Sequence, residues 1–456
     1  MNEKSDFLGT ENLKHLFWKL ALPAIVSQLI TLIYNLVDRI YIGHIEGSGG
    51  MALTGLGICA PLTLIIMAFG QLLCAGGGPI MSYALGEKKL EDAKDMLKTS
   101  FIVLVMVSIF LTALMLVYAK PLLYIFGASE VTYIYAYSYF KWYVIGTIAV
   151  MISTGMVAFI TAQGATKVAM VTVSTGAIVN IVLDPLFIWK LNLGIEGAAI
   201  ATIISQSVSA FMVMLYLCGN KPAVSLTITG SAFRKDLLLQ SLALGISPFI
   251  MQITECGLSI AFNKSLLAYG GDVAVGAMTL FTTINSIVYL PISGFCQGTQ
   301  PITSYNYGAA KYDRVAENVK RLIKICLSFS AFMWVLIMLF PGVILSIFTT
   351  DSQIYTYSVN HIRFFFAMSV ISGLQPSCQF CFLALKNAKV SLLLAMLRKI
   401  VLLIPLIFIL PCFIMPKDTA VFLAEPVADT IAIIVTTITF FTVNRDILRT
   451  KGNGEF

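Results

Sequence analysis

The sequence predicts an all-α integral membrane protein with twelve transmembrane helices, arranged as two six-helix bundles related by a pseudo-two-fold axis. Three observations lead there: a composition that needs lipid as its solvent, apolar stretches of spanning length along the chain, and an internal repeat whose period holds six such stretches. Hydrophobic residues make up 58% of the chain and charged residues 12%, about half the roughly 25% charge of a water-soluble domain. The mean hydropathy is +0.87.

Each predicted span can cross about 30 Å of hydrocarbon as a helix. The first, 17–42, follows a polar lead from Asn2 to Lys14 and is too long for the apolar core of a signal peptide, so it is expected to remain as a span. The second, 52–80, leads into a proline-containing segment at its end, and 96–118 is a plain apolar run. The fourth, 134–159, begins among aromatics, where Lys141 is expected to snorkel to the interface. The fifth, 168–189, contains Asn180, Asp184 and Pro185. The sixth, 197–218, carries the small polar stripe Ala198, Thr202, Ser205 and Ser209, which permits close helix approach. These six make an amino-terminal lobe over 1–220, followed by a cytoplasmic linker at 221–239 and a carboxy-terminal lobe over 240–456. The second lobe's spans are 240–266 (with Gln252, Glu255 and Ser259 on one face), 273–302, 320–342, 358–384, 390–412 (with Arg398 and Lys399) and 419–443 (with Glu425 and Asp429 one turn apart). Arg363, like Lys141, is expected to snorkel.

Loop charge sets the expected orientation. Most of the 30 Lys and Arg residues fall in loops on one side, including Lys14, Lys88, Lys89, Lys167, Arg314, Lys386 and Arg445, whereas the other side's loops hold Lys120, Lys190 and Lys417. By the positive-inside rule both termini are expected in the cytoplasm, with the chain in a bacterial inner membrane. The net charge of +7 is then a consequence of topology and calls for no nucleic-acid partner.

The repeat is legible residue by residue. Pro79-Ile80-Met81-Ser82-Tyr83-Ala84-Leu85-Gly86 returns as Pro301-Ile302-Thr303-Ser304-Tyr305-Asn306-Tyr307-Gly308, an offset of 222 that also pairs Gly76 with Gly298 and Lys167 with Lys389. In the first span of each half the offset is 225, pairing Pro23 with Pro248 and Asp38 with Asn263. Six spans per period give both halves the same orientation, the parallel-repeat arrangement in which substrate binds between halves that rock against one another.

Ionisable groups inside a membrane are costly and are functional candidates by default. Thr31, Tyr34, Asn35 and Asp38 share one face of the first span. Asn180 and Asp184 share one face of the fifth, and Pro185 cannot bond the carbonyl of Ile181. With Thr202 these groups make an oxygen cage suited to Na⁺ at Asp38, Asn180, Asp184 and Thr202; equally, two neighbouring carboxylates can hold and release a proton. The plainer alternatives are Asp38 paired with Arg39 and Asp184 at a helix end. In the second half, Glu255, Arg398, Glu425 and Asp429, with Tyr34 and Asn35, are candidates for substrate contact or secondary coupling; the plainer alternative is that the acids pair with Arg398 or Lys399. An aromatic share of 11% and 19 Met residues suit a cavity for bulky lipophilic cations. The nine cysteines lie almost entirely within spans, so neither a disulfide framework nor a metal site at Cys378 and Cys381 is expected. With His15, His44 and His361 as the histidines and no H-E-x-x-H, P-loop or G-x-S-x-G motif, an enzyme is not expected.

Leu20-Ala21-Leu22-Pro23, the paired Pro-Ile-x-Ser-Tyr-x-x-Gly segments, Asn180-Ile181-Val182-Leu183-Asp184-Pro185 and Gly194-Ile195-Glu196-Gly197-Ala198-Ala199 give the chain a resemblance over nearly its whole length to the multidrug and toxic compound extrusion (MATE) transporters, in particular their bacterial MepA/DinF-like branch. The resemblance implies a monomeric antiporter that expels amphiphilic organic cations while Na⁺ or H⁺ enters, with no cofactor beyond the coupling ion. It also implies a cation site on Asp38, Asn180, Asp184 and Thr202. Some relatives add a carboxy-half site that pairs a glutamate like Glu255 with an aspartate on the tenth span. No acid stands between Ser358 and Leu385 here. A flippase for lipid-linked saccharides is the competing expectation; it needs a basic cavity, for which Arg398 is the available residue.

Overall fold

The computed structural model describes residues 3–45, 49–227, 233–349 and 352–449. After a short helix, α1 (Glu3–Thr10), come α2 (Leu13–Gly43), α3 (Gly49–Gly86), α4 (Leu90–Val117), α5 (Ala119–Ile125), α6 (Tyr133–Ile145), α7 (Thr147–Gly155), α8 (Val157–Ala162), α9 (Thr166–Pro185) and α10 (Gly194–Leu217). The second half holds α11 (Lys235–Gly308), α12 (Tyr312–Leu339), α13 (Pro341–Ser346), α14 (Ser352–Phe365), α15 (Leu374–Ala384), α16 (Ala388–Met396), α17 (Ile404–Ile409), α18 (Lys417–Val443) and α19 (Arg445–Arg449).

Among the described residues nine helices are long and apolar enough to span a membrane. The longest, α11, turns at Gly271, whose φ of 68° breaks it into two spans. Two further spans are bent: α6 meets the α7–α8 stretch at 61°, and α14 meets the stretch from Ser369 to Ala384 at 57°. Counting these brings the total to the expected twelve. These are the spans expected at 134–159 and 358–384, and the reason they bend is local. In the first, Thr147 Oγ1 donates to the carbonyl of Val144 at 2.7 Å and Thr154 Oγ1 to that of Val150 at 2.7 Å, the side-chain competition that bends helices. In the second, carbonyls freed at the break are satisfied by α12, through Trp334 Nε1 to Ala367 at 3.2 Å and Ser330 Oγ to Val370 at 2.9 Å. Backbone groups within a bilayer need such a partner from the protein itself. The helix α11 begins at Lys235, five residues before the span expected from 240, and part of the expected linker lies outside the described residues.

The repeat extends to backbone detail. Lys88 and Ala310 both have positive φ, 63° and 55°, and so do Gly164 and Lys386, 78° and 62°; each pair is separated by the offset of 222 read from the sequence. The turn bonds correspond too, Lys89 N to Ala84 O at 2.9 Å and Lys311 N to Asn306 O at 2.8 Å.

The two lobes meet through glycines at the end that carries the lysine- and arginine-rich loops. A Cβ on Gly86 would lie 2.0 Å from the Tyr305 carbonyl oxygen, and one on Gly308 would lie 2.1 Å from that of Tyr83. These are reciprocal contacts across a pseudo-two-fold axis. The Tyr83 and Tyr307 rings lie 5.5 Å apart beside them. At this same end α1 lies across both lobes. Its carbonyls at Leu8 and Gly9, with that of Glu11 beyond it, accept from Asn306 Nδ2 (2.9 Å), Lys311 Nζ (2.8 Å) and Arg314 Nη2 (2.9 Å to Glu11), while Gly164 of the first lobe gives room to Phe7 and Leu8. Cations at a helix C-terminus complement its dipole.

Candidate functional site

In the first lobe α2 and α9 bring together Asp38, Asn180 and Asp184, three of the four residues expected to hold a cation, and the fourth, Thr202, lies on α10, which packs against both helices. Close packing of α9 on α10 depends on Gly176, where a Cβ would meet Ser209 Oγ at 2.0 Å. Asn180 and Asp184 are completely enclosed, Asp38 and Thr202 nearly so. Asn180 Nδ2 donates to Asp184 Oδ1 at 3.1 Å, and the carboxyl groups of Asp38 and Asp184 are close enough to interact directly. Three oxygens in this nest, Asp38 Oδ1, Asn180 Oδ1 and Asp184 Oδ2, are buried with no hydrogen-bond partner. Thr202 Oγ1 donates to the Ala198 carbonyl at 2.9 Å, which leaves its lone pairs available. Among the described residues neither acid has a cation within ion-pair reach; Arg39 acts on Asp38 from longer range. Two carboxylates, an amide oxygen and a hydroxyl are all hard oxygen donors. The set fits a small hard cation such as Na⁺, or a proton shared between the acids.

The backbone beside this nest is irregular. Directly after Asp184-Pro185 the chain runs as one π-helical turn, Leu186–Lys190, closed by Leu191 N to Leu186 O at 2.9 Å. Proline lacks the N–H that α-helical bonding requires, and the wider turn absorbs the misfit.

Tyr34 lies beside both acids. Asn35 instead bonds back to the Thr31 carbonyl at 2.8 Å and is exposed. Sequence reasoning missed Tyr139 and Tyr143 of α6. Their stacked rings, 6.0 Å apart, adjoin Tyr34 and give the nest an aromatic wall. Their i, i+4 spacing in an aromatic-rich span was the available signal.

The second lobe answers its buried charge differently. Arg398 Nε binds Asp429 Oδ1 at 2.6 Å and its Nη2 binds Glu425 Oε1 at 3.4 Å. Lys399 binds Glu255 and donates to the Met251 carbonyl at 3.1 Å. The two cations are neighbours in the π-helical segment Leu397–Leu403 yet serve different helices, α18 and α11, because consecutive residues of a helix point to different faces. The structure therefore brings Glu255, Glu425 and Asp429 together with Arg398 and Lys399 as an ion-paired network of three acids and two bases, separate from the first-lobe nest. Removing Arg398, the cation shared by Glu425 and Asp429, leaves buried acids without a partner, a loss that costs about 3–5 kcal/mol. Arg398→Met is therefore expected to lower the unfolding temperature and membrane abundance. Adding Glu425→Gln and Asp429→Asn to Arg398→Met is expected to recover most of both, as read by fluorescence-detected size exclusion after heating. Equal stability of Arg398→Met and wild type would contradict this role.

Between the lobes lies a cavity of about 290 Å³, lined by Gln71, Ser82 and Thr154 of the first lobe and by Gln252, Tyr289, Gln297, Gln300 and Gln379 of the second. No charged side chain is among its lining residues. Cys378 and Cys381 are buried free thiols, and no cluster of three or more His, Cys, Asp or Glu able to hold a metal occurs among the described residues.

The MatE family profile matches residues 23–186 and 249–409, one block in each lobe. The multidrug export protein MepA of Staphylococcus aureus (strain bovine RF122 / ET3-1) is 25% identical over 394 residues, covering 86% of this chain and 85% of the relative. MepA of Staphylococcus haemolyticus is 24% identical over 355 residues, covering 78% and 77%. Among solved structures, the MATE multidrug transporter DinF-BH superposes with a TM-score of 0.90 at 32% identity, over 98% of this chain and 99% of that one. An outward-facing multidrug resistance MATE transporter of the MOP superfamily superposes at 0.91 with 21% identity, over 98% of both chains.

Proposed function

The chain belongs to the MatE family and is a membrane transporter of the multidrug efflux type, and we propose that it works as an antiporter that expels amphiphilic organic cations in exchange for Na⁺ or H⁺. The observation that carries the coupling is the nest of Asp38, Asn180, Asp184 and Thr202: three buried oxygens without a partner and two acids that form no ion pair among the described residues. Such a site is stable when it holds a positive charge and strained when it does not, so ion occupancy is tied to the packing of α2 against α9. The aromatic wall of Tyr34, Tyr139 and Tyr143 beside the acids gives a lipophilic cation both cation–π contact and counter-charge. Cargo and coupling ion would then compete for one pair of carboxylates, which is the simplest basis for exchange.

With the lysine- and arginine-rich loops placed in the cytoplasm, the contacts of Gly86 and Gly308 close the lobes against each other on that side. We place it in a bacterial inner membrane with both termini cytoplasmic, acting as a monomer on lipophilic cationic cargo. Flipping of phosphate-bearing lipids is less well supported, because Arg398 is bound to Asp429 and Glu425 and the inter-lobe cavity has no charged lining. The deciding experiment is efflux of ethidium from proteoliposomes with Na⁺ and proton gradients imposed separately. One of the two gradients is expected to drive substrate movement, with that ion flowing the opposite way; movement driven by neither gradient would overturn the reading.

A further inference from the structure

We propose that the groove between the starts of α2 and α9 is a binding site for an anionic phospholipid of the leaflet on the lysine- and arginine-rich side. The groove has a volume of about 610 Å³ and is lined by Asn12, Lys14, His15, Trp18, Lys19 and Lys167, with Leu22 and Pro23 below them. Its charge is unevenly compensated. Glu11 binds Lys19 at 2.8 Å and His15 at 2.6 Å, and the Lys19 hydrogen bond holds the Glu11 carboxyl below its usual range. Lys14 and Lys167 have no acidic partner within ion-pair reach among the described residues. The helix α9 opens at this point with no side-chain cap, so the positive end of its dipole adds to the two lysines.

Below this head the surface changes to one that suits acyl chains. On α2 the exposed residues Trp18, Leu22, Leu29, Ile33, Leu36 and Ile40 repeat at helical spacing. On the neighbouring α9 exposed Val171, Ile178 and Val182 continue the face that begins with Lys167. The two stripes run side by side, because α2 and α9 pack along their lengths and meet again at the far end, where the Tyr41 and Trp189 rings are 5.3 Å apart. A basic head with an interfacial tryptophan above a continuous apolar channel matches the two halves of one lipid molecule. The seat lies on the two helices that carry Asp38 and Asp184, yet the proposal stands on charge and surface alone and does not need the antiport reading.

The test measures lipid retained by the full-length protein after purification from nanodiscs containing phosphatidylglycerol and phosphatidylcholine, by native mass spectrometry. Each basic side chain at a bilayer surface is worth about fivefold in affinity for anionic lipid, so Lys14→Ala with Lys167→Ala is expected to weaken phosphatidylglycerol retention about thirtyfold. The charge-matched control Lys120→Ala with Lys190→Ala should leave retention unchanged, and Lys14→Arg with Lys167→Arg should preserve it. Wild-type retention in the double alanine variant would overturn the proposal. So would equal retention of phosphatidylcholine, or displacement of the lipid by millimolar inorganic phosphate, which would mark a free-anion site instead.

Discussion

Asp184→Asn is expected to bring ion-coupled efflux down to the level of empty liposomes while leaving the protein as stable as wild type, or more so. The two halves of this result have one cause. Asp184 is enclosed, and its carboxyl is opposed by Asp38 with no cation beside it. An asparagine keeps the shape and the hydrogen bond with Asn180 but removes a charge that the folded chain does not compensate. Nothing is lost from an ion pair, because Asp184 forms none among the described residues. What disappears is the ability of the pair to gain and release a positive charge, and with it the link between ion gradient and cargo. The signature is opposite to that of Arg398→Met, where loss of the cation shared by Glu425 and Asp429 should lower stability first. Thermal unfolding and ethidium efflux measured on the same preparations separate the two. Retention of ion-driven efflux by Asp184→Asn would refute the assignment of coupling to this nest.

The second large effect is expected at the lobe contact. Gly86→Ala puts a Cβ at about 2 Å from a backbone carbonyl oxygen, Tyr305 O, where no side-chain rotation can relieve the clash. The lobes must separate at that end, so the closed state described above is lost while each lobe's own core is untouched. Gly308→Ala should do the same through Tyr83, since the contacts are reciprocal. Both variants are expected to fold and to lose nearly all transport. Spin labels placed across this end of the lobes should move apart relative to wild type. Wild-type transport by either variant would show that these glycines are not the close-contact pivot.

Much of this was legible beforehand, because the membrane restricts what a sequence can mean. Where every backbone polar group must be satisfied internally, long apolar runs can only be helices, and an offset held across several spans marks a repeated lobe. The nest at Asp38, Asn180, Asp184 and Thr202 was equally visible, since polar residues at helical spacing in an apolar run define a face. The sequence by itself thus determined the twelve spans, their pairing into two like halves and the choice of candidate acids. Which acids are left without a cation was decided only by the tertiary structure. Arg398 and Lys399 stand next to each other in the chain, yet the helices packed on either side give one to Asp429 and Glu425 and the other to Glu255. The same holds for the bends at 61° and 57°, for the stacked Tyr139 and Tyr143, and for the glycine contacts that close one end. Each depends on which neighbour a side chain or carbonyl finds across helices far apart in sequence, and local spacing carries no record of that neighbour.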